Sequence, residues 1–152
     1  MKKKFEGEDS GARRVFLSEG EAPFDVWTEI RAVGEDVDII VGGGSRPHIG
    51  SVALAEPAVT VNPVTGETIR AQGDGTGFCR ISVMSAAAHK DAAIAEMFAG
   101  AFCDAFCVNV CAGAGVHVGD ATEKDIEKLM GNAAALLKRA LSAWGGVAAQ
   151  GV

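Results

Sequence analysis

Three histidines stand in the 152-residue chain, and each falls where a regular element should begin or end: His48 in "RPHIG", His89 in "AAHKD" and His117 in "GVHVGD". Three imidazoles brought together can hold a metal ion, or they can line a polar ligand pocket. Nothing in their spacing makes them converge, so a polar pocket without a metal is the expectation. The first histidine closes the densest run of chemistry in the chain, "GGGSRPHIG" at 42–50. Gly42, Gly43 and Gly44 can adopt positive φ and leave backbone amides bare, which suits a nest for an anion. Pro47 disfavours helical geometry at Arg46 and tends to hold it extended. Beside bare amides, an extended guanidinium can clamp a phosphate or carboxylate through two parallel charge-assisted bonds. His48 would add a third donor or a proton relay. A tight glycine turn carrying a surface arginine explains the same residues equally well.

Other candidates are weaker. Lys90, beside His89, falls in the first turn of an expected helix, where a cation gains nothing from the helix dipole, so a ligand contact is one reason for it. "GAGVHVGD" at 113–120 reads as a second glycine-rich loop between a strand and a helix, although the capping acids Asp120 and Glu123 compete with any anion there. A dinucleotide or P-loop motif needs its glycines to open a helix, and Pro47 with the β-like run from Ile49 denies "GGGSRPHIG" that context. Ser45, Ser51 and Ser85 carry no nucleophile signature, and no pair of carboxylates is spaced for acid/base work. Cys79, Cys103, Cys107 and Cys111 form no CxxC pair and read as reduced, buried thiols of a cytoplasmic protein. The residues favour binding over catalysis.

The elements that position these residues change character halfway along the chain. A β-like run at 14–17 precedes the turn "GEAPF". "FDVWTEIRAV" alternates with period two, and a turn at 34–36 joins it to "VDIIV" in an antiparallel hairpin. Further strands are expected at 49–57, at "ETIRAQ" and at 78–86, with turns at 62–67 and 73–77. From His89, "HKDAAIAEMFAGAFCDAF" is apolar nearly all round, as a helix packed on a sheet should be. "CVNVCAGAG" follows as a buried strand with a turn. Apolar residues from Ile126 to Trp144, at spacings of three and four, make an amphipathic helix that Asp120 or Thr122 can cap. The expectation is an α+β domain in which an antiparallel β-sheet meander packs against two helices from the second half of the chain.

Size and charge narrow the class. A chain of this length buries roughly 70% of its unfolded surface as one domain, here expected over 12–146 with flexible tails at 1–11 and 147–152. Fourteen Lys and Arg against twenty Asp and Glu give a formal charge of −6, without a dense basic patch, which argues against nucleic-acid binding. "MKKK" is followed by "FEGEDSGARR" where a signal peptide would have its apolar stretch. Glu96 and Asp104 interrupt the most apolar segment, so no membrane span is expected.

Taken together, "GGGSRPHIGSVA" at 42–53, "HKD" at 89–91 and "GVHVGDATEKDIEKL" at 115–129 resemble the LpdD-like prenylated-flavin chaperone family, whose domains are similar to proteasome assembly chaperones. The resemblance implies an accessory protein and not an enzyme. Such a protein would bind the prenylated flavin mononucleotide made by a UbiX-type flavin prenyltransferase and help deliver it to a UbiD-type decarboxylase. Carried onto this chain, it implies a cofactor site at Gly43, Gly44, Ser45, Arg46, Pro47 and His48, with His89, Lys90 and His117 as further members, and a homodimer. The chemistry is compatible: glycine amides and Arg46 suit the phosphate of FMN or its prenylated form, and Ala- and Val-rich walls suit the ring. An assembly chaperone without a small ligand and a small metal-dependent enzyme using the three histidines are the alternatives.

Overall fold

The computed structural model describes residues 13–70, 79–86 and 91–148. The elements run β1 (Arg14–Glu19), β2 (Val26–Val33), β3 (Asp36–Gly44), β4 (Ser51–Pro57), β5 (Val59–Val61), β6 (Thr68–Arg70), β7 (Cys79–Ser85), α1 (Ala92–Phe106), β8 (Val110–His117) and α2 (Glu123–Ala148). Six strands form one sheet in the order β1-β2-β3-β8-β4-β7, and β5 and β6 form a separate hairpin. The expected tails lie outside the described residues, except that 147 and 148 continue α2.

Period-two patterning sets the layers. Val26, Thr28 and Ile30 of β2, Val37, Ile39 and Val41 of β3, Ala53 and Ala55 of β4, and Val110, Ala112 and Ala114 of β8 are buried on one face. Against that face α1 sets Ile94, Phe98 and Phe102, and α2 sets Leu129, Leu136 and Trp144. The buried Thr28 hydroxyl donates to Ile40 O at 3.0 Å, so its polar atom is satisfied. β2 and β3 form the expected hairpin, Val33 pairing with Asp36 around Gly34 at φ +62°.

The sheet is mixed and not a plain antiparallel meander. β8 lies parallel to β3 and antiparallel to β4, wedged between two strands that neighbour each other in sequence. Hairpin signals report only strands that pair locally, whereas β8 reaches its place through the α1 crossover. Flanked on both sides, it is apolar from Val110 to Val116, and only its last residue, His117, is polar and exposed. The glycine-rich stretch from 113 is also strand and not loop: β8 runs through Gly113 and Gly115 to His117. A Cβ at Gly113 would meet only the end of the Ile40 side chain, at 3.3 Å, so neither a turn nor a main-chain contact demands glycine there.

All four cysteines are thiols outside any disulfide. Burial, followed by the neighbouring Cys79, pushes the Cys103 thiol up to about 12. Among the described residues, no helix is long and apolar enough to cross a membrane.

Candidate functional site

The strand order builds the site. Because β8 lies between β3 and β4, the chain leaving β3 must cross the end of β8 before β4 can begin. Residues 45–50 make that crossing and bind to what they cross. Ser45 Oγ donates to His117 O at 3.3 Å. Arg46 N reaches the same carbonyl at 3.3 Å, His48 N donates to Gly115 O at 3.4 Å, and Gly50 N donates to Ala114 O at 2.9 Å. A Cβ at Gly115 would lie 2.5 Å from the carbonyl carbon of His48 and closer still to its oxygen, so only glycine lets the strap lie this low.

The glycines therefore act differently from the expected nest. Gly43 is a buried residue of β3, packed on the Asp25 carbonyl, and Gly44 donates its amide to Asp25 O at 2.9 Å. Gly44 takes φ +71° at the point where the chain leaves the strand. The amides of Gly44, Arg46 and His48 are all directed at backbone carbonyls, which leaves the Arg46 side chain as the cationic group that the strap presents to solvent. That side chain is exposed, and no protein group among the described residues pairs with its guanidinium. Pro47 lies beside it on the same strap.

Asp91 holds the strap to the helical layer. It stands at the N-terminus of α1, but its side chain makes no capping bond there. It is 8% exposed, accepts from Val116 N at 3.0 Å, and places Oδ2 3.2 Å from His48 Nε2. Gly50 makes room for this carboxylate, since a Cβ there would lie 2.9 Å from Asp91 Cγ. The other ring nitrogen, His48 Nδ1, lies 3.1 Å from Arg46 O. Sequence reasoning missed Asp91, because an aspartate at a helix start reads as an ordinary cap and its partners are tertiary.

Two clefts meet at His48 and His117, whose rings stand edge to face with centroids 6.3 Å apart. One cleft, about 370 Å³, is formed by the strap residues Arg46 to Ile49 and His117. The other, about 290 Å³, runs under the start of α2 and is walled chiefly by Ile94, Val116, Val118, Ile126, Leu129 and Met130. A reciprocal cap fixes the α2 wall: Thr122 N donates to Asp125 Oδ2 at 2.9 Å and Asp125 N to Thr122 Oγ1 at 3.3 Å. The Thr122 amide bond holds the Asp125 carboxyl below its ordinary 3.8. Thr122 is thus the cap, while Asp120 sits at φ +51°.

The structure therefore brings together Ser45, Arg46, Pro47, His48 and His117, and places Gly43 and Gly44 behind them in the sheet. His89 and Lys90 lie outside the described residues. Among the described residues, no group of three or more metal-ligating side chains assembles. The arrangement sets an exposed guanidinium at one end and an apolar cleft at the other, joined at two imidazoles.

The prenylated flavin chaperone LpdD-like domain model matches residues 20–144. In fold, the chain is similar to a chain of a novel chaperone complex for yeast 20S proteasome assembly, solved by crystallography. That likeness has a TM-score of 0.53 and 10% identity, and covers 89% of this chain and 96% of the other. Comparison with curated proteins finds no match.

Proposed function

Since the chain belongs to the prenylated flavin chaperone LpdD-like family, a family of chaperones and not of catalysts, we propose that it binds prenylated flavin mononucleotide and helps deliver it to a UbiD-type decarboxylase. The observation that carries this reading is the pair of clefts meeting at His48 and His117. Arg46 receives the phosphate, as its planar fork bonds two phosphate oxygens at once. The cleft under α2 takes the ring system with its prenyl-derived carbons, which gain from leaving water. Each cleft alone is near or below the small end of the volume range for small-molecule sites, so a ligand with a ring system and a phosphate tail spans both. The clefts are open and not closed chambers, which suits a protein that must give its ligand up. Among the described residues, no Phe or Trp lines either cleft, so ring binding rests on aliphatic contact.

The working unit is a homodimer. The sheet face turned away from the helices carries Phe16, Leu54 and Met84, at 63%, 52% and 76% exposure. On that face Arg14, Arg31 and Arg80 are matched by Glu29, Asp38 and Glu56. A face so balanced, in a chain of formal charge −6, can meet a second copy of itself without like-charge repulsion.

Titration with prenylated flavin mononucleotide under oxygen-free conditions, followed by absorbance, tests the reading. Saturable binding is expected, weakened by Arg46→Ala. If the wild-type protein binds neither prenylated nor plain flavin mononucleotide, the reading is overturned. The likeness in fold to a protein of an assembly complex supports a second reading, an assembly chaperone without a small ligand. In that case a decarboxylase would co-purify equally with wild type and Arg46→Ala, with no flavin bound to either.

A further inference from the structure

The two histidines at the junction of the clefts are not equivalent. Each ring nitrogen of His48 faces a protein oxygen: Nδ1 is 3.1 Å from Arg46 O and Nε2 is 3.2 Å from Asp91 Oδ2. The main chain fixes this arrangement from both sides. Asp91 is anchored by Val116 N at 3.0 Å, and His48 N is tied to Gly115 O at 3.4 Å. Turning the His48 ring toward a ligand would strip a nearly buried carboxylate of one of its partners, a costly exchange. His117 stands opposite. It lines both clefts, its residue is exposed, and its only ring contact among the described residues is the edge-to-face approach to His48. Its backbone carbonyl is engaged by Ser45 Oγ and Arg46 N, so the main chain is fixed while the imidazole is available.

We propose that His117 is the side chain that hydrogen-bonds the polar edge of the ligand's ring system, and that Asp91 is a positioning residue that locks His48 as a wall between the clefts. The inference rests on the flavin-binding reading above. The chemical class it selects is a planar heteroaromatic ring with a donor or acceptor edge, lying between the apolar cleft and the anion-binding end. An apolar ring of the same size would fill the space and leave the His117 nitrogens without a partner, which discriminates against it. Proton relay through His48 is no part of this arrangement, because both its nitrogens are turned onto the protein.

With three histidines in the chain, imidazole ¹⁵N resonances can be assigned by single substitutions and followed during titration with flavin mononucleotide and its prenylated form. Ligand is expected to move the His117 nitrogens and leave those of His48 nearly unchanged, whereas Asp91→Asn moves His48 in the ligand-free protein. His117→Phe keeps a ring against His48 but removes the polar atoms, and should lower affinity about three- to tenfold, the worth of one neutral hydrogen bond, without changing the melting temperature. If wild type binds, but His117→Phe binds as tightly or the ligand moves His48 in place of His117, this inference falls and the flavin-binding reading stands. If wild type binds neither form, both fall.

Discussion

Replacing Gly115 by alanine is the most direct test of how the site is built. The added Cβ would lie 2.5 Å from the carbonyl carbon of His48, where nonbonded carbons rest about 3.5–4.0 Å apart. The strap must therefore lift by about 1 Å or more. No flexible side chain can absorb this, because the obstacle is main chain. Overpacking of this kind costs about 1–3 kcal/mol, and lifting the strap also weakens the bonds from Arg46 N and His48 N to β8 at 3.3 and 3.4 Å. A total of about 2–3 kcal/mol lowers the melting temperature of a domain this size by roughly 5–10 °C. Gly113→Ala is the control on the same strand. Its nearest neighbour is the end of the Ile40 side chain, at 3.3 Å, which can rotate away, so a change below about 1 kcal/mol is expected. Calorimetry on the two variants, with flavin titration of each, gives the comparison. If Gly115→Ala melts within about 2 °C of Gly113→Ala and binds flavin like wild type, the strap does not lie on β8 as described, and the construction of the site is wrong.

Arg46→Ala should weaken binding of flavin mononucleotide about tenfold, the lower end for a charge-assisted pair because the guanidinium is exposed, and should flatten the salt dependence of the dissociation constant. Met84→Glu, on the helix-free sheet face, should shift the protein from dimer to monomer in sedimentation while leaving its melting temperature nearly unchanged. Cys103, with its thiol raised to about 12 by burial, should react with an alkylating reagent at pH 8 far more slowly than in denatured protein. Because its folded pKa lies above the ordinary 9.0, the stability it contributes is present below pH 9 and should fall as pH rises toward 12, most simply seen as alkaline unfolding that Cys103→Ala reduces. Asp125 has the opposite sign: its lowered pKa means that the α2 cap is intact above pH 3.8 and lost as pH falls through the folded value. Faster hydrogen exchange in the first turn of α2 at acid pH, mimicked at neutral pH by Asp125→Asn, would show it.

The sequence made the local elements legible where the signal was local. Alternation from Val26 to Ile30, the turn at Gly34 and the spacing of Leu129, Ala133, Leu136 and Ala140 each report a face that one element must bury, and the structure buries them. The insertion of β8 was not legible, because no residue in β3 or β4 records that a strand sixty positions later separates them. The glycines of "GGGSRPHIG" and "GAGVHVGD" stand out in the sequence, but their type alone does not say what each is for, and those at 113 and 115 lie in a strand and not in a loop. Glycine marks a close approach as readily as a turn, and what approaches Gly115 is His48, far away in sequence. Arg46, His48 and His117 could be singled out by type. Asp91 could not, since its partners Val116 and His48 exist only after the sheet has closed.

The insertion of β8 also sets an order of events during synthesis. β3 and β4 emerge early, yet neither has its inner hydrogen-bonding partner until residues 110–117 have left the ribosome and α1 has carried them back across the sheet. Contacts so distant along the chain close late and slowly. His117, the Val116 amide that anchors Asp91, and the start of α2 are the last pieces to arrive. A nascent or partly unfolded chain therefore has no cleft to fill, and only molecules that have finished folding present one to any ligand.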